Sequence, residues 1–131
     1  MPAGDVVPEL PYPDVLAAAE WLCKAFGFRE RIRIGTHRVQ LAVGAGSVVI
    51  TDGASSSLRA DCGHRVMVRV ADVDGHAARA QQAGARVVSP PTTHPFGERQ
   101  YSAEDLAGQL WTFSETVADV DPRDWGGEVV E

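Results

Sequence analysis

The chain has 131 residues, 44% of them hydrophobic and 23% charged, and a formal net charge of −6. That composition suits one globular domain able to bury a core without disulfide staples, and it excludes a disordered chain. An acidic chain with dispersed arginines and few aromatic residues lacks the basic face and stacking platform of a nucleic-acid binder, and no apolar run approaches the ~20 residues that span a bilayer.

Residues Met1 to Asp5 have neither the basic start nor the apolar stretch of an export signal. Cys23 and Cys62 stand outside any C-x-x-C pair and read as free thiols, so a reducing, cytoplasmic setting is expected. The first strand-like run is Val6 to Tyr12. Asp14 then offers a helix N-cap, and Val15, Ala18, Ala19, Leu22 and Phe26 follow at helical spacing up to Gly27, a left-handed stop. Three further strand-like runs come next: Phe28 to Ile34, His37 to Val43, and Ser47 to Thr51, the last two joined by the turn Gly44-Ala45-Gly46.

The same order of signals then returns. His64 to Val70 reads as a strand and Asp72 as a cap. Val73, Ala77, Ala80 and Ala83 form the buried stripe of a second helix that Gly84 ends. Strands are predicted at Arg86 to Ser89, Arg99 to Ala103 and Leu110 to Ser114, with Asp105 to Gly108 as the hairpin turn and Pro90 to Pro95 as an extra loop. The spacing therefore predicts an α+β chain of two βαβββ modules, at about 5–53 and 63–116, with a linker at 54–62 and a tail at 117–131.

Strand alternation sorts the side chains by face. Val66, Val68 and Val70 oppose Arg65, Met67 and Arg69; Val39, Leu41 and Val43 oppose Arg38, Gln40 and Ala42; Trp111 and Phe113 oppose Leu110, Thr112 and Ser114. The apolar set must pack under the helix of its module, which leaves a mixed face to meet water or line a hollow. On that face Arg38, Arg65 and Arg69 can clamp a carboxylate or phosphate, or can pair with Glu9 or across a dimer seam. Gln40, Thr51, Met67, Tyr101 and Thr112 complete a lining that could hold a ring, or stand as solvated strand residues.

In this order and spacing the chain resembles the vicinal oxygen chelate superfamily, the group of glyoxalases, bleomycin-resistance proteins and extradiol dioxygenases. The resemblance rests on Val70-Ala71-Asp72-Val73-Asp74, on Ala83 to Val88, and on Phe96-Gly97-Glu98-Arg99 running to Asp105, Gly108 and Trp111-Thr112-Phe113. It implies a curved, partly open mixed sheet with helices on its convex face and a ligand in the hollow, often at a dimer interface. Enzymes of that superfamily usually hold a divalent metal on the first and last strands of each module. The matching positions here are Val7, Val49, Arg65 and Thr112, or after a slip of one residue Pro8, Val48, His64 and Trp111; only His64 among them suits such a metal.

His64 stands as a remnant ligand, a polar contact or an exposed strand end, whereas His37, His76 and His94 read as surface residues. Glu9, Glu98 and Glu104 could serve as a general base if burial raised a pKa, and otherwise are solvated. Gly44-Ala45-Gly46 joins two strands instead of opening a helix, so it is a turn and not a phosphate cradle. Trp125, isolated in a polar tail, is expected to anchor on its own domain or to latch onto a partner subunit. The expected function is metal-independent binding of a small organic molecule by a homodimer, with no cofactor, nucleic acid or membrane partner and no assignable catalytic residue. A metal-dependent or acid–base enzyme of the superfamily (lyase, isomerase or dioxygenase) and a non-catalytic dimeric interaction domain are the alternatives.

Overall fold

The computed structural model describes residues 4–53 and 64–130; the linker predicted at 54–62, and Cys62 with it, lies outside the described residues. In chain order the elements are β1 (Glu9–Pro11), α1 (Val15–Phe26), β2 (Arg29–Ile34), β3 (Arg38–Val43), β4 (Gly46–Thr51), β5 (Val66–Arg69), α2 (Val73–Gln82), β6 (Arg86–Thr93), β7 (Glu98–Glu104) and β8 (Leu110–Thr116). A single 3-10 turn, Pro122–Trp125, follows. Two open four-stranded sheets result, ordered β1-β4-β3-β2 and β5-β8-β7-β6. β1 is parallel to β4 and β5 to β8, while the remaining pairs are antiparallel. The repeated β-α-β-β-β order is thus the fold.

Both helices begin where their caps predict. Asp14 accepts from Ala17 N and Asp72 from Gly75 N, each at 3.1 Å, satisfying a backbone donor that the first turn leaves orphaned. Gly27, at φ +80°, closes α1 by donating its N–H to Cys23 O. α2 ends slightly sooner, on Ala83 in helical conformation, with Gly84 turning left-handed just beyond it.

Three strands differ most from their predicted extents. β1 keeps only three residues because Pro8 and Pro11 have no N–H to give a ladder. β5 begins two residues after His64. β6 runs on through Thr93, so most of the predicted Pro90 to Pro95 loop is strand; the prolines are tolerated because β6 is a sheet edge whose register shifts between Val87 and Ser89 and again between Ser89 and Thr92.

One core serves both modules. Leu10, Val39, Leu41 and Ile50 of the first sheet and Tyr101, Trp111 and Phe113 of the second are each buried to within a few per cent, together with the inner stripes of α1 and α2. The joint is aromatic and hydrogen-bonded. Phe26, at the end of α1, meets the rings of Trp111 and Phe113 at 5.6 and 4.8 Å, and Trp21 donates to Ala83 O at 3.0 Å. Arg79 of α2 donates to Lys24 O and Cys23 O, and His76 of α2 bonds Phe26 O at 2.9 Å. The free carbonyls at the end of α1 are therefore capped from the second module, by a cation where the helix dipole favours one. At the opposite end Asp105, in the β7–β8 turn, accepts from Tyr12 Oη, Trp111 Nε1, Ala107 N and Gln109 N. No helix among the described residues is long and apolar enough to cross a membrane.

Candidate functional site

Register decides which side chains share the open face of each sheet. In the second sheet Met67 pairs with Thr112 and Thr112 with Ser102; Arg69 pairs with Ser114 and Ser114 with Gln100. Facing pairs point the same way, so these residues form one polar band opposite the helices. The band is internally satisfied: Ser102 Oγ and Thr112 Oγ1 lie 2.8 Å apart, Gln100 Nε2 donates to Ser114 Oγ at 3.0 Å, and Ser114 Oγ donates to Glu98 Oε1 at 2.7 Å. Hydrogen bonds from Thr116 and Ser114, with attraction from Arg69, hold the Glu98 carboxyl below the usual carboxylate range.

Above this band lies a hollow of about 450 Å³, floored by Ser102 and Thr112 and walled by Met67, Val88 and Leu110, with Arg65 and His94 among its other lining residues. Arg65 is exposed and has no ion pair or hydrogen bond among the described residues. A second hollow, of about 530 Å³, opens between the modules, where Val6, Pro8 and Val43 approach Val66, Val68 and Arg69 of β5. Met67, 62% exposed, borders both. The first volume is polar-floored and fits a compact organic molecule; the second is chiefly apolar.

The residues singled out from the sequence fall into three groups. Arg65, Met67 and Thr112 line the polar hollow, and Arg69 lines the apolar one. Glu9, Arg38, Gln40 and Thr51 share the open face of the first sheet, since Glu9 and Gln40 both pair with Val49 and Arg38 pairs with Thr51; they line neither hollow. There Arg38 Nη1 donates to Glu9 Oε1 at 3.1 Å, which is the internal pairing weighed as the alternative to a clamp. Tyr101 is among the residues bordering the polar hollow, but its ring does not enter it. It pairs with Phe113, so its ring points the other way, 1% exposed, with its hydroxyl on His76 beneath α2. Burial raises the phenol well above its usual range.

Two histidines also differ from expectation. His76 is half-buried at the module joint, its ring tilted 37° to that of Phe113 at 4.2 Å, and burial lowers its pKa. His94 is half-buried beside the polar hollow, parallel to Phe96 at 5.0 Å. His37 and His64 are exposed as expected. Trp125 rests on Phe96 of its own chain at 5.5 Å. Gln100, Ser102, Ser89, Val88 and Leu110 of the hollow went unmarked in the sequence. Parity with Thr112 across the β7–β8 turn is the signal that finds Gln100 and Ser102; irregular β6 offers none for Val88 and Ser89.

The acid–base candidates are all engaged: Glu9 with Arg38, Glu104 with Arg86 at 3.2 Å, and Glu98 with Ser114. The superfamily's metal does not fit the side chains present. Val7, Val49, Arg65 and Thr112 hold the matching positions. By strand pairing, the neighbour of Val49 is Glu9, bound to Arg38, and that of Thr112 is Met67. Among the described residues no three His, Cys, Asp or Glu side chains gather where an ion could sit.

Residues 6–113 match the family described as Glyoxalase/Bleomycin resistance protein/Dioxygenase superfamily, and the chain belongs to it. Among solved structures it is similar to TioX from Micromonospora sp. ML1, at 37% identity over 90% of this chain and 100% of that one, with a TM-score of 0.72. It shares the fold of a glyoxalase/bleomycin resistance protein/dioxygenase family enzyme from Burkholderia phytofirmans PsJN (16% identity, 84% and 96% of the two chains, TM-score 0.70). The same holds for a glyoxalase/bleomycin resistance protein/dioxygenase from Alicyclobacillus acidocaldarius (14% identity, 86% and 91%, TM-score 0.70). No curated protein matches the chain.

Proposed function

We propose that this protein is a metal-independent binder of a small organic molecule, working as a homodimer in the cytoplasm and holding its ligand in the polar hollow of the second sheet. The observation that carries the reading is the hollow itself, in which a hydrogen-bonded floor, apolar walls and an Arg65 with no ion pair among the described residues converge on one volume. A floor whose polar groups already bond one another favours ring contact and side-on hydrogen bonding over proton transfer. Arg65 supplies the charge for a carboxylate or phosphate at the rim. The residue types at the superfamily's metal positions support binding without an ion. Similarity to TioX along that chain's whole length supports a related function for the two. The dimer reading is supported by β5, a sheet edge that exposes Met67 beside an apolar hollow.

Native mass spectrometry of the full chain offered zinc, nickel, iron and manganese, then a carboxylate panel, tests this. A metal-free dimer that retains a carboxylate is the expected spectrum. One metal held per subunit would transfer the protein to the metal-dependent enzymes of its superfamily, and a monomer would remove the dimer.

A further inference from the structure

The tail after β8 is built onto one turn. Val117 N and Ala118 N both donate to Gly97 O, at 2.9 and 3.1 Å. Gly97 sits at φ +87°, and a Cβ there would lie 2.2 Å from Ala118 O, so only glycine allows the tail this approach. Farther on, Asp121 accepts from Arg123 N and pairs with the Arg123 guanidinium, and Gly127 N donates to Pro122 O at 2.7 Å. This compact turn sets Trp125 against Phe96. Phe96 in turn lies parallel to His94, their planes 2° apart. His94 itself is pinned by its backbone, donating N–H to Glu98 O and accepting from Gly97 N. Three rings from two chain segments thus form a ladder, with Trp125 tilted 59° against Phe96 and His94 parallel to it; its last rung borders the polar hollow, and neither nitrogen of that rung has a hydrogen-bond partner among the described residues.

We infer that His94 is a ligand-contact residue whose ring stacks on a planar aromatic ligand, and that Phe96 and Trp125 are positioning residues that hold it there. The inference rests on the reading of the hollow as a ligand site and names the class of molecule it takes: a flat aromatic or heteroaromatic ring bearing an anionic group for Arg65. Stacking needs a ring held at a fixed angle, and a ring already parallel to Phe96 keeps that angle at little further entropic cost. The imidazole nitrogens add hydrogen-bonding capacity at the ring edge.

Calorimetric titration with 2-naphthoate and its saturated counterpart, decahydro-2-naphthoate, tests the ladder. His94→Ala and Trp125→Ala should each weaken 2-naphthoate by roughly two- to tenfold, the range of one aromatic stack, and leave the saturated acid unchanged. His94→Phe and Trp125→Phe should restore the aromatic preference. Equal weakening of both acids, or none, would overturn the ladder; if Arg65→Ala still weakened both, the hollow would stand as the ligand site without it. Failure of the unaltered protein to bind either acid would overturn the ladder and the ligand site together.

Discussion

The two modules share a frame and differ in what stands on it. Glu9 and Met67 each lie five residues before a helix cap, and each pairs with the middle of its module's last strand, Val49 and Thr112. Continuing across the sheets, Gln40 corresponds to Ser102, Arg38 to Gln100 and Thr51 to Ser114. Long side chains on the first open face fill their own space: Glu9 and Arg38 reach each other, and Val49 is 1% exposed. Serine and threonine on the second leave a hollow of about 450 Å³. The hollow opens in one copy of the duplicated scaffold because one strand position carries a short side chain there, Ser102 in place of Gln40.

The buried carboxylate of Asp105 marks the strongest difference between the modules. In the first, the corresponding turn is Gly44-Ala45, exposed and bonded to nothing comparable. Asp105→Ala should cost roughly 3–4 kcal/mol in urea unfolding, because several buried donors lose their acceptor at about 1–3 kcal/mol each, partly relieved by relaxation. Ala45→Ser should change stability by no more than about 0.5 kcal/mol. A small loss at Asp105 would mean that the Tyr12 link does not hold the modules together.

Exchanging the short and long residues tests the comparison directly. Ser102→Gln gives the second sheet the first sheet's side chain and should lower 2-naphthoate affinity at least tenfold, about 1.4 kcal/mol, with the melting temperature nearly kept. Arg65→Ala should cost about 1.5 kcal/mol of binding to the same acid by removing a charged hydrogen bond. Retained affinity in both variants would move the ligand to the apolar hollow beside β5.

Much of this was legible. The valines of β5 and their alternation with Arg65, Met67 and Arg69 assigned the closed and open faces, and Asp14 and Asp72 located both helices, because caps and period-two patterns are local physics. The direction of the Tyr101 ring was not legible because its face also carries Arg99 and Ala103, so only pairing with Phe113 fixes its side. His76 sits three residues after Val73 and four before Ala80, on the buried stripe. Its partners, Phe26 O and Tyr101, come from other elements and carry no sequence signal. His94 was obscured by prolines that mark an irregular edge strand as readily as a loop.

His76 also separates the modules by pH, since Ala18 stands at its position in α1. Facing His76 are Phe26 O from α1, the Tyr101 hydroxyl from β7, the Phe113 ring from β8, and Arg79 of its own helix. Burial, then the charge of Arg79, depress its pKa against the hydrogen bond that its ring donates to Phe26 O. A depressed histidine binds its proton more readily unfolded, so its contribution is complete above the unfolded pKa of about 6.5 and falls as pH drops toward the folded value. Unfolding measured between about pH 6.5 and 5 should lose at most about 1.4 kcal/mol per pH unit, and His76→Gln should flatten that slope. Carboxylates with depressed values, Glu30, Asp74, Glu98 and Asp121, act only at lower pH. Asp105, raised by burial, gains stability as pH falls and opposes the histidine, so the difference between the parent and His76→Gln isolates the histidine's share.

The smallest effect belongs to the first sheet's ion pair. Arg38 and Glu9 are both partly solvated, with side-chain exposures of 33% and 61%, and an exposed pair of this kind contributes roughly 0–1 kcal/mol. Arg38→Ala should therefore shift unfolding by no more than about 0.5 kcal/mol and leave 2-naphthoate affinity unchanged, whereas Arg65→Ala weakens it. The contrast is informative because Arg38 on β3 and Arg65 just before β5 differ chiefly in partner: one already has a carboxylate, the other borders a hollow that can receive one. A loss of affinity at Arg38 would show that the first sheet reaches the ligand, across Met67 or from another copy of the chain, and that the division of labour between the modules does not hold.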